Sequence, residues 1–73
     1  MRTVCLELIP ERDGGWFLRS ANDGMASSHF VSRRDAEAEA AAYLVRNGAD
    51  GELLVYGADG RVQEAKRWSS NSL

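Results

Sequence analysis

The sequence predicts an α+β domain in which one helix packs on one face of a small antiparallel β-sheet. Three observations lead to this fold class. Runs of alternating apolar and polar residues are separated by turn residues, one alanine-rich segment has apolar residues at helical spacing, and 73 residues suit a single domain. The predicted order is ββ(β)αββ. We assign residues 1–68 to the domain and the largely polar residues 69–73 to a frayed C-terminal tail.

Three predicted strands precede the helix. Residues 3–9 are aliphatic or β-branched at alternate positions, so an extended backbone gives them one apolar face. A glycine-rich turn follows, and the second strand spans residues 16–21, with Trp16 and Phe17 on opposite faces. Residues 25–30 form a weaker third strand, because serines interrupt it.

The helix has the clearest signals. Ser32 is a good N-cap, and Asp35 three residues later makes a capping box with the shorter acid. Val31 is predicted to pack onto Ala36 as a hydrophobic staple, and Gly48 ends the helix in the left-handed conformation. The predicted buried stripe consists of Ala36, Ala40, Ala41, Tyr43, Leu44 and Val45.

Two strands follow the helix. Residues 52–57 form the most apolar strand, and residues 61–67 form the last one. Asp59 and Gly60 lie between them, and Asp-Gly between two strand-like runs is among the strongest hairpin signals.

Composition argues against several classes of protein. A formal net charge of −2 argues against a generic nucleic-acid binder. No apolar run reaches the roughly 18 residues of a membrane helix, and Glu7 interrupts the stretch where a signal peptide would have its apolar core. We therefore expect a cytoplasmic protein without a membrane partner.

The sequence offers no constellation for catalysis. One cysteine, Cys5, excludes an internal disulfide, and with the single histidine it is too little for an ordinary zinc site. His29 lies beside Ser27 and Ser28, but neighbours in a strand point to opposite faces and cannot converge on a substrate. No cation or helix N-terminus is predicted beside Cys5 to activate its thiol. We expect no enzyme, no cofactor and no metal.

The predicted helix is too small to cover the predicted sheet. A helix of about 15 residues is roughly 22 Å long and 10 Å wide, whereas five strands about 4.8 Å apart make a sheet more than twice that width. We expect the uncovered surface to bind a protein, in the first place a second copy of the chain in a homodimer. The candidate interface residues are Phe17, Tyr56, Ile9 and Trp68.

Basic residues suggest an alternative function. Cations in the first helical turn oppose the helix dipole, and basic residues beside a tryptophan can hold single-stranded nucleic acid. The candidates for anion or nucleic-acid contact are Arg33, Arg34, Arg61, Lys66 and Arg67. The simpler interpretation is that neighbouring acids neutralise the helix arginines and that the edge-strand cations prevent aggregation.

Ordered turn motifs add a resemblance that spans residues 6 to 67. The motifs that support it are Asp13-Gly14-Gly15-Trp16, Ala26-Ser27-Ser28, the helix start at Ser32 to Ala36, and the stretch from Glu52 to Val62 with its Gly57-Ala58-Asp59-Gly60-Arg61 hairpin. In this order the chain resembles short bacterial proteins of the domain of unknown function 2188 family, and more distantly YegP-like proteins, whose units pair with one another. The resemblance implies a bacterial or phage origin and a compact α+β unit, and brings no catalytic residue or ligand. Arg33 and Arg34 depart from the polar and acidic residues that the family shows at the helix start.

Overall fold

A computed structural model describes residues 3–20, 28–48 and 50–68, and within them it contains five strands and one helix in the order β-β-β-α-β-β. The elements are β1 (Thr3–Pro10), β2 (Trp16–Ser20), β3 (Ser28–Phe30), α1 (Arg33–Arg46), β4 (Asp50–Tyr56) and β5 (Val62–Trp68). The predicted fold class is confirmed. Residues 25–27 of the predicted third strand and the predicted tail, residues 69–73, lie outside the described residues.

The sheet is mixed, which corrects the prediction of a wholly antiparallel sheet. Its strand order is β3-β2-β1-β4-β5, and β1 pairs with β4 in parallel while the other neighbours are antiparallel. The first three strands form a meander that ends at one edge. Helix α1 then carries the chain across one face of the sheet to β4, which lies beside β1. Parallel neighbours need a crossover connection of this kind, because a tight turn cannot join them.

The core lies between α1 and the sheet. Alternate residues of β1, β2 and β4 face the helix, as period-2 alternation requires. The core side chains are all aliphatic and at most 1% exposed: Val4, Leu6, Leu8, Leu18, Ala36, Ala40, Leu44, Leu53 and Val55. Four partly buried aromatic side chains surround this core, namely Trp16, Phe30, Tyr43 and Trp68.

The ends of the helix follow the sequence prediction. The Asp35 backbone N–H donates to Ser32 Oγ at 3.2 Å, and Gly48 has φ +57°, the left-handed conformation that glycine adopts without strain. Two other expectations are wrong. Val45 is 56% exposed because one residue beyond Leu44 the helix has turned by about 100° away from the sheet. Val31 is 90% exposed and does not form the expected staple.

Candidate functional site

The face of the sheet opposite α1 is the candidate site, and we call it the open face. No element among residues 3–20, 28–48 and 50–68 covers it: α1 packs on the other side, against the core. Alternation and strand register place the following side chains on it: Cys5, Glu7, Ile9, Phe17, Arg19, His29, Glu52, Leu54, Tyr56, Val62, Ala65 and Arg67.

One end of the open face carries a band of apolar side chains that crosses the sheet. Phe17 pairs with Ile9, and Tyr56 pairs with Val62. Leu8 pairs with Val55, so the next residues along these parallel strands, Ile9 and Tyr56, continue the band. We call Phe17, Ile9, Tyr56 and Val62 the apolar row. Val62 is 47% exposed, and the other three are partly buried.

His29 extends the apolar row at the β3 edge. It pairs with Phe17, and the two ring centroids lie 5.0 Å apart at an interplanar angle of 62°, an edge-to-face contact. Its Nδ1 lies 2.8 Å from Glu11 Oε1. The histidine therefore packs on a ring and a carboxylate, and the described residues bring no nucleophile against it.

A polar cluster lies beside the apolar row and orients Tyr56. The Tyr56 hydroxyl donates to Glu7 Oε2 at 2.7 Å, and Arg19 Nε donates to Glu7 Oε1 at 2.8 Å. The pKa of Glu7 is lowered, first by the hydrogen bond from Tyr56 and then by that from Arg19. The pKa of Tyr56 is raised, chiefly because its hydroxyl donates to this carboxylate. The tyrosine stays neutral and its ring is held in place on the open face.

The structure brings together three of the four predicted interface residues. Phe17, Ile9 and Tyr56 lie in the apolar row, whereas Trp68 pairs with Gly51 on the helix side, where it packs against the core. A β-bulge causes this separation. Val55 pairs with Glu64 but Tyr56 pairs with Val62, so one extra residue enters β5 and reverses the faces beyond it.

Sequence reasoning missed part of the open face. Leu54 could have been found, because it alternates with the buried Leu53 and Val55. Val62 and Ala65 carry no such signal, since their side of the sheet depends on the bulge.

The predicted basic residues do not form one patch. Arg67 lies on the open face, with its Nε 4.0 Å from Glu52 Oε2, and Arg34 and Arg61 are exposed elsewhere. Arg33 and Lys66 lie on the helix side in contact with acids. The alternative of nucleic-acid binding gains no support from this arrangement.

Arg33 and Lys66 belong to an ion cluster that joins α1 to β5. Arg33 Nε donates to Glu37 Oε2 at 2.6 Å and its Nη2 donates to Glu64, while Lys66 Nζ donates to Glu37 Oε1 at 2.6 Å. We call these four residues the ion cluster. The pKa of Glu37 is lowered, chiefly by the hydrogen bond from Lys66, and the pKa of Arg33 is raised, chiefly by that from Glu64.

The Cys5 thiol and a shallow hollow are two further features of the described residues. Burial raises the pKa of the Cys5 thiol, and Glu52 and Glu7 raise it further, so the thiolate is disfavoured. A shallow hollow of about 560 Å³ lies at the end of the β1–β2 hairpin. Its acids already accept hydrogen bonds, Asp13 from the Gly15 N–H at 3.0 Å. Among the described residues, no His, Cys, Asp and Glu side chains group together as a metal site.

In the described part of the chain, no helix is long and apolar enough to cross a membrane.

Residues 6–67 match the model of a family described as "Uncharacterized protein conserved in bacteria (DUF2188)", which confirms the resemblance drawn from the turn motifs. The more distant likeness to YegP-like proteins stays a prediction. No curated protein and no solved structure matches the chain.

Proposed function

The chain belongs to the DUF2188 family of bacterial proteins, and we propose that it is a non-enzymatic protein-interaction module that binds a second copy of itself through the open face. The proposal places this module in the cytoplasm. It needs no cofactor and no metal.

The apolar row is the observation that carries this proposal. A 73-residue chain buries only about 60% of its unfolded surface, so small domains commonly gain stability from a partner. Here the one described helix covers a single face, and two aromatic rings, Phe17 and Tyr56, stay on the other. A contiguous apolar surface of this kind, rimmed by polar side chains, is typical of an interaction site.

Charges around the apolar row suit a second copy. The open face carries cations, Arg19 and Arg67, and anions, Glu7 and Glu52, on neighbouring strands. A two-fold axis brings the same patch of both copies together. Because the patch contains both positive and negative side chains, arginines of one copy can face glutamates of the other. Two sheets packed about 10 Å apart in this way can bury the apolar rows of both copies.

The test is the mass of the assembly in solution, measured by light scattering on a size-exclusion column. We expect the wild type at twice 8.0 kDa or more. Phe17→Ser should lower this mass at least twofold, because it replaces an aromatic ring of the buried apolar row with a hydroxyl.

Val45→Ser is the matched control, since Val45 is equally apolar but lies exposed on the outer side of α1. It should leave the mass unchanged, and circular dichroism should show both variants folded. A wild type that is monomeric at high micromolar concentration, or a Phe17→Ser variant with the wild-type mass, would contradict the proposal.

A further inference from the structure

We propose that the outer edge of β5 pairs with β5 of a second copy, antiparallel and centred on Ala65, so that two five-stranded sheets become one continuous sheet. This contact uses a strand edge and does not depend on the open face. It is a second surface for the same kind of partner.

β5 is an edge strand with a full length of unused backbone. It is the last strand in the sheet order, and no described strand pairs with its outer side. Its seven residues, Val62–Trp68, are mostly exposed and include no proline. At the opposite edge, the described residues of β3 are the three of Ser28–Phe30. A long edge strand presents a row of free N–H and C=O groups to another chain.

The order of charges along β5 is self-complementary. In an antiparallel pair centred on Ala65, Glu64 of each copy lies directly opposite Lys66 of the other. Gln63 then lies opposite Arg67. The β-bulge puts Val62 on the open face and Trp68 on the helix side, so these two side chains do not meet. Opposite charges in directly opposed positions stabilise an antiparallel pair, and this register places no like charges opposite each other.

The ion cluster holds the two central charges in position for this register. Glu64 accepts from Arg33 and Lys66 donates to Glu37, so both side chains lie on the helix side of β5 with part of their freedom already lost. Two cations and two carboxylates make the cluster neutral as a whole. Two such clusters can therefore meet across the strand pair without net repulsion.

The geometry leaves the open face available. Directly opposed residues of an antiparallel pair lie on the same side of the sheet, so both helices lie on one side of the joined sheet and both open faces on the other. The edge contact alone predicts a dimer, and the edge contact together with the open-face contact predicts a tetramer. The two contacts can thus be separated by mass.

Charge variants mixed with each other test the register. In a Phe17→Ser background, which removes the open-face contact, we expect a residual species at twice 8.0 kDa. Adding Glu64→Lys places lysine opposite lysine, and adding Lys66→Glu places glutamate opposite glutamate. Each should weaken self-association about tenfold, from two lost pairs of roughly 0.7 kcal/mol each.

An equimolar mixture of these two variants should recover the dimer, because every position 64 then faces the opposite charge at position 66. The intramolecular cost is similar in the separate and mixed samples, so recovery isolates the contact between chains. A monomeric Phe17→Ser variant would overturn the edge contact and leave the open-face proposal intact. Charge variants that associate equally well alone and mixed would also overturn it.

A disulfide provides a second measurement that does not require Phe17→Ser to fold. In a Cys5→Ser background, Ala65→Cys puts two thiols on the two-fold axis, within reach of each other under mild oxidation. Gln63→Cys is the control, since its two thiols are separated by about 13 Å along the paired strands. Sheets stacked face to face lie about 10 Å apart, beyond disulfide reach. Equal yields of dimer from both variants would contradict the proposed register.

Discussion

Leu53 and Leu54 are adjacent in one strand, yet they belong to two different environments. Leu53 is fully buried beneath α1, and Leu54 is only partly buried on the open face. Both faces of the sheet carry large apolar side chains, so residue type does not distinguish them. The difference teaches that burial in this fold is decided by where the single described helix lies.

The two faces also differ in how their side chains are held. On the helix side, Ala36 and Ala40 are fully buried and let the helix backbone approach a layer of aliphatic side chains. On the open face, the Tyr56 ring is held by a hydrogen bond to Glu7, which Arg19 also contacts. The centre of the helix side is ordered by aliphatic packing, whereas the Tyr56 ring on the open face is ordered by polar contacts, and this contrast can be measured.

Substituting the two leucines gives the largest expected difference. Leu53→Ala should lower the free energy of unfolding by about 3 kcal/mol, because it leaves a cavity in a closed core. Leu54→Ala should cost about 1 kcal/mol in the monomer, because solvent already reaches the side chain. Urea unfolding at low protein concentration measures both values. Equal losses would show that the open face is as closed as the core.

Substituting two glycines should give a smaller difference in stability, because one lies against buried side chains and the other against a flexible one. A Cβ at Gly51 would lie 2.6 Å from both Cδ atoms of the buried Leu44. At Gly57 it would meet the exposed and flexible Gln63 side chain. Gly51→Ala should cost about 2 kcal/mol through overpacking, and Gly57→Ala about 0.5 kcal/mol or less. Thermal unfolding of both variants tests this order, and a reversed order would contradict the packing described for α1 on β4.

Local signals predicted the helix and the strands, because capping, spacing and turn chemistry act within a few residues. Ser32, Asp35 and Gly48 behave as their types require. The parallel pairing of β1 with β4 was not predictable in this way. It depends on which neighbour the chain joins after crossing the sheet, and residues on β1 and β4 that pair are 47 positions apart in sequence, as Thr3 and Asp50 are.

The candidate site was predictable as far as strict alternation holds. Phe17, Ile9 and Tyr56 were placed on the uncovered surface by counting residues along each strand. Trp68 was not, because the β-bulge adds one residue to β5. If the register of the pair Tyr56–Val62 continued without a bulge, Trp68 would lie opposite Asp50, on the open face. Because of the bulge, Trp68 lies opposite Gly51, on the helix side. The same shift turns Glu64 and Lys66 toward α1, where they form the ion cluster.

Acid and salt give the smallest expected effect and distinguish the two polar clusters. Glu7 and Glu37 both have pKa values below their ordinary value of 4.5 in the folded protein. Each therefore adds stability that is complete above pH 4.5 and is lost as pH falls through its folded pKa. Glu7→Gln and Glu37→Gln should each reduce the fall in the free energy of unfolding between neutral and acid pH. The reduction should be no more than about 1 kcal/mol, since the cationic partners are partly exposed.

Salt should separate the two variants, because the clusters use different donors. The main partner of Glu7 is the neutral hydroxyl of Tyr56, whereas the main partner of Glu37 is the Lys66 ammonium. Raising ionic strength to 1 M shortens the Debye length to about 3 Å and screens charges far more than a neutral hydrogen bond. In urea titrations at pH 6, the cost of Glu37→Gln should shrink with salt while that of Glu7→Gln persists. Equal salt dependence would mean that Arg19, and not Tyr56, dominates the interaction of Glu7 on the open face.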